Sequence, residues 1–66
     1  MLYAVTYEGV RVGSVNSLRS GRPRWVAYSA ITHERAPMRF PTRRDASAWL
    51  VARYLAERER DREAAS

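Results

Sequence analysis

The sequence predicts an α+β domain: a small antiparallel sheet of three to four strands packed on one C-terminal helix, in the order β-β-β-α. Three observations predict it. Up to residue 31 the chain alternates in two-residue steps and is rich in Val, Tyr, Trp and Thr, with turn residues at regular breaks. From Thr42 it changes abruptly to Ala, Leu, Arg and Glu, with no Gly or Pro to the end. With 66 residues there is room for one domain, 1–66, and for one core.

Residues 2–7 (LYAVTY) place Tyr3, Val5 and Tyr7 on one side and Leu2, Ala4 and Thr6 on the other, as a half-buried strand does. Glu8-Gly9 is a two-residue turn with a glycine to take positive φ, so residues 10–15 (VRVGSV) return as a hairpin partner. Residues 16–23 (NSLRSGRP) form a polar loop, and residues 24–31 (RWVAYSAI) a third strand. After the connection THERAP, residues 38–40 (MRF) are a short edge strand bracketed by Pro37 and Pro41. The tetrad TRRD is a capping-box sequence with Thr42 as the N-cap, and the helix is expected over 42–62, followed by a frayed tail at 63–66.

A chain this short buries only about 60% of its unfolded surface, so its core is marginal. It has no cysteine to staple it and a single histidine, His33, so neither a disulfide nor a zinc site of histidines alone is available. No apolar run reaches the ~20 residues of a membrane span, and the start lacks the basic region of a secretory signal, which points to a cytoplasmic protein.

All twelve basic residues are arginine, and the formal net charge is +5. Residues 1–44 hold eight arginines against Glu8 and Glu34, a net of +6, whereas residues 45–66 net −1. A one-sided basic surface is the electrostatic footprint of a protein that meets a polyanion. One choice of strand parity puts Val10, Val12, Trp25, Ala27, Ile31, Met38 and Phe40 against the helix. The same choice sends Arg11, Val15, Arg24, Val26, Tyr28 and Arg39 to the uncovered face. A solvated sheet face needs polar residues in any case, so the arginines also fit a plain solvent-facing surface.

The helix carries two apolar stripes. Ala46, Trp49, Leu50 and Tyr54 suit packing on a sheet. Ala48, Val51, Ala52 and Leu55 lie nearly opposite, and one small sheet cannot cover both. The second stripe is therefore expected to meet a second copy of the chain or another protein.

The run GRPRWVAYSA followed by MRFPTRRDASAWL resembles the arm-type DNA-binding domain of tyrosine-recombinase integrases. The matching positions are Trp25, Ala27 and Tyr28, then Arg39, Phe40, Thr42, Arg43, Arg44, Ala46, Trp49 and Leu50. The resemblance implies a three-stranded sheet lying in the DNA major groove with the helix behind it. By position, Arg24, Val26, Tyr28 and Arg39 would face DNA, and Arg22, Arg43 and Arg44 would hold phosphates. The chain departs from that family in its THERAPM connection, in the additional strand at 2–7, and in having no recombinase domain after the helix.

The residues do not predict an enzyme. The serines lack a Gly-x-Ser-x-Gly elbow, the glycines are too dispersed for a phosphate loop, and the acidic residues at 57–63 alternate with arginine as on a solvated helix. No cofactor, metal or small-molecule substrate is implied. Two expectations remain. In one, the protein binds double-stranded DNA: Arg11, Arg24, Arg39 and Tyr28 face the groove, while Arg19, Arg22, Arg35, Arg43 and Arg44 contact phosphates. In the other, it is an interaction module that dimerises or docks through Ala48, Val51, Ala52 and Leu55, with no nucleic-acid role.

Overall fold

A computed structural model describes residues 2–19, 21 and 23–65. Three strands, β1 (Leu2–Tyr7), β2 (Val10–Ser17) and β3 (Trp25–Ser29), form one antiparallel sheet in the order β1-β2-β3. One helix, α1 (Arg43–Ala65), packs across one face of it. The α+β fold is the one expected.

Turn chemistry accounts for the hairpin between β1 and β2. Glu8 and Gly9 both have positive φ (50° and 79°), the twist that a tight two-residue connection needs. Tyr7 pairs with Val10 across it. The register then slips: Val5 faces Gly13 while Thr6 faces Arg11, which leaves Val12 as an extra residue on β2. This bulge inverts the parity of β2. Val12 points inward before it, and Gly13 and Val15 fall on the same helix-facing side after it, with Val12 and Val15 wholly buried. The expectation that Val15 faces outward is thereby corrected, because a single parity cannot run through a bulge. Ser14 takes the outward position instead, beside Ala4 and Tyr28.

β3 is shorter than expected and stops at Ser29. The Ser29 hydroxyl accepts hydrogen bonds from the amides of Ile31 and Thr32 (both 3.1 Å), and the His33 amide donates to the Ser29 carbonyl at 3.0 Å. His33 then adopts φ 60° and turns the chain back. This serine-capped turn carries Ile31 out to solvent, so Ile31 does not face the helix. Residues 38–40 are not a strand. Trp25 and Phe40 exchange two main-chain hydrogen bonds (3.1 and 2.8 Å), Ala36 donates to Ala27, and the residues between bow away from the sheet. Met38 sits on that bow, 50% exposed, rather than against α1.

The helix begins where its cap dictates. The Asp45 amide donates to the Thr42 hydroxyl at 3.1 Å and the Ala46 amide to the Thr42 carbonyl at 3.2 Å. Replacing Thr42 with alanine is expected to cost about 1 kcal/mol, or roughly 4–8 °C in the thermal midpoint; a melt followed by circular dichroism checks it. The helix runs to Ala65, beyond the expected end at 62. Ion pairs Arg60–Glu57 (3.6 Å) and Arg62–Glu59, both one turn apart, favour the extra turn.

The core is small: Val12, Val15, Ala27, Ala46 and Leu50 are fully buried. Around it stands an aromatic ring of contacts, Tyr3–Trp25, Tyr7–Tyr54 and Phe40–Trp49, with centroids 5.9, 6.1 and 6.4 Å apart. Gly13 lets the helix approach. A Cβ there would lie 2.2 Å from the Tyr28 carbonyl oxygen and 2.9 Å from a Leu50 methyl. The helix consequently sits over β2 and β3 and touches β1 least.

Candidate nucleic-acid interface

Pairing across the sheet decides which side chains share the uncovered face. Leu2, Asn16 and Val26 are cross-strand neighbours there, as are Ala4, Ser14 and Tyr28, and Thr6 and Arg11. Tyr28 is 44% exposed, and Arg35 is bridged to it from the connection beyond β3. Arg39 lines a groove with Arg35 and Val26, whose pairing puts it on that face, and Arg24 is exposed just before β3. Arg11, Tyr28, Arg35 and Arg39 thus share the side that α1 leaves open; Arg35, expected as a loop contact to phosphate, is brought there by its bridge to Tyr28. Arg11 is set apart, at the hairpin end of β2, about 17 Å along the strand from Asn16.

The other basic residues gather at one end. The β2–β3 loop, the start of β1 and the helix N-terminus all meet there. Leu18 donates to the Arg24 carbonyl at 2.7 Å, closing the loop that carries exposed Arg19. The Arg43 guanidinium lies 4.5 Å from the Tyr3 ring centroid, and Arg44 is exposed beside it in the first turn. Arg39 reaches back toward the same loop, its Nη1 3.1 Å from where a Cβ on Gly21 would be. Arg19, Arg24, Arg39, Arg43 and Arg44 therefore form one basic pole. Arg22, also expected to contact phosphate, lies outside the described residues.

Acidic groups sharpen this asymmetry. Glu34 accepts from Arg53 at 3.3 Å, and Glu8 pairs with Arg58 at 3.6 Å. Arg60 and Arg62 pair with Glu57 and Glu59. All four arginines in the later part of α1 are thus neutralised, and they take up both acids of the first 44 residues. Among the described residues, Arg11, Arg19, Arg24, Arg35, Arg39 and Arg44 form no ion pair.

No family model, curated protein or solved structure matches this chain. Its geometry has to speak for itself. The bow of residues 36–39 opens a groove of about 210 Å³ beside Val26. Leu18, Val26, Pro37 and Met38 line it together with Arg35 and Arg39. Sequence reasoning missed this groove, because it arises from a pairing offset between β3 and the connection that follows.

The second helix stripe is partly uncovered. Ala48, Ala52 and Leu55 are exposed, Leu55 at 40%, whereas Val51 is half-buried against the core. No helix among the described residues is long and apolar enough to cross a membrane. No group of three His, Cys, Asp or Glu among them is placed to hold a metal ion.

Proposed function

We propose that the protein is a DNA-binding module that meets double-stranded DNA with its uncovered sheet face and its basic pole. The reading rests on the sorting of arginines. Those late in α1 are neutralised by carboxylates, while those on the open face and at the pole are left for an external anion. Guanidinium groups suit that partner, since each can bridge two phosphate oxygens or the O6 and N7 of guanine. The first turn of α1 adds free backbone amides beside Arg43 and Arg44. Five phosphates held by Arg19, Arg24, Arg39, Arg43 and Arg44 leave Arg11, Tyr28 and Arg35 to face base edges. The resemblance to arm-type integrase domains likewise implies Tyr28 facing DNA and Arg43 and Arg44 on phosphates, but it would put Arg24 and Arg39 in the groove; the reading suits an accessory protein of a mobile element.

Titration into a labelled duplex at several salt concentrations tests the reading. With about five phosphates neutralised, log K should fall against log salt with a slope near −4.5. A flat response would sink it.

One observation favours a second reading. Leu55, Ala48 and Ala52 form an apolar strip on the outer side of α1, which suits docking on a protein and needs no nucleic acid. Under that reading duplex binding is absent at any salt.

A further inference from the structure

The sheet has two edges, and they are treated differently. Beyond β3, the chain's own connection bonds to the strand through Glu34, Ala36 and Phe40. Beyond β1 there is no strand among the described residues. Open edges are normally blunted by lysine, proline, a bulge or shortness. β1 has none of these: it is six residues long, LYAVTY, without a charge or a proline, and the extra residue of the bulge belongs to β2. Its inward residues Tyr3, Val5 and Tyr7 are only half-buried, since α1 lies over the other two strands. Its outward Leu2 is 65% exposed.

We infer that β1 pairs antiparallel with β1 of a second copy, giving a six-stranded sheet. Self-complementarity argues for a copy as the occupant. A two-fold axis normal to the sheet keeps both helices on one side and matches inward residues with inward ones. Two central registers satisfy this. With Val5 on the axis, Tyr3 faces Tyr7 of the second copy and Ala4 faces its Thr6. With Ala4 on the axis, Tyr3 faces Val5 of the second copy. Both supply the aromatic and β-branched cross-strand pairs that stabilise sheets. The antiparallel arrangement also sends the two basic poles to opposite ends, so molecules of charge +5 can meet along a strand that has no charge. Among the described residues one edge per chain is open, so association closes at two copies.

Sedimentation or light scattering of the protein without DNA, across a concentration series, provides the first test. A dimer is expected. The double substitution Ala4→Glu/Thr6→Glu places like charges opposite one another in both registers, at exposed positions that leave the core untouched, and should give a folded monomer. Because the chain has no cysteine, Val5→Cys and Ala4→Cys each introduce a lone thiol. Opposed residues in a sheet have Cα atoms about 4.5–5.5 Å apart, within disulfide range, so mild oxidation should cross-link whichever variant sits on the axis. Three results would overturn the inference: a monomer at every concentration, no cross-link in either cysteine variant, or a dimer that survives the double substitution but is lost in Leu55→Glu. Duplex affinity is measured separately, so failure here leaves the basic pole's role standing or falling on its own.

Discussion

Gly13→Ala is expected to give the largest loss of stability of any single-methyl change in this chain. The added carbon would lie 2.2 Å from the Tyr28 carbonyl oxygen and 2.9 and 3.1 Å from the two Leu50 methyls. The leucine can rotate away, but the carbonyl is part of the β2–β3 ladder and moves only with the strand. A cost of about 3 kcal/mol, at the upper end for overpacking, would take about 30% or more of the roughly 3–10 kcal/mol available to a domain of this length. The thermal midpoint should then drop by at least about 12 °C. Adding Leu50→Ala should not restore it, because the harder of the two clashes remains and a cavity is added. Gly9→Ala is the control. No atom lies within 4 Å of a Cβ there, so only the left-handed backbone (φ 79°) is strained, at about 1–2 kcal/mol. Denaturant melts of the three variants would rank these effects, and equal losses at Gly9 and Gly13 would refute the close-approach argument.

The second large effect concerns charge at the pole. Arg24→Gln/Arg39→Gln/Arg44→Gln removes three of five proposed phosphate contacts. The salt slope should shrink from about −4.5 to about −1.8. Between 50 and 200 mM salt the wild type would then lose about 500-fold in duplex affinity and the variant only about 12-fold. Arg58→Gln/Arg60→Gln/Arg62→Gln removes the same formal charge from the far half of α1, where each arginine already has a carboxylate partner. Its slope should stay near the wild-type value. If both variants behave alike, net charge rather than the pole governs binding. The pole's own mutual repulsion would be relieved in the first variant, so its fold should be at least as stable as the wild type.

Several elements were legible in the residues because the forces that make them are local. Glu8-Gly9 specifies a tight turn through backbone conformation alone. Thr42 and the Gly- and Pro-free stretch after it specify a helix through capping and propensity. The helix stripe Ala46, Trp49, Leu50 and Tyr54 is recognised by spacing, and all four residues are at the core. Val15 and Met38 were misplaced for a shared reason: strand parity was carried through irregular backbone. The clue for the first was in view, since valines at 12 and 15 cannot share a face in an unbroken strand, and a glycine between them marks a bulge. Ile31 was misplaced because a serine side chain ended β3 early, and serine in a strand-like run gives no warning of the bonds it will accept.

The order of elements, the hairpin, the helix start and the excess of arginine in the first 44 residues are written into the chain. Each follows from neighbours along the chain or from simple counting. Tertiary structure alone decided which arginines keep their charge unanswered. Glu8 and Glu34 are distant in sequence from Arg58 and Arg53, and only folding α1 back across the sheet brings their opposite charges within a few ångströms.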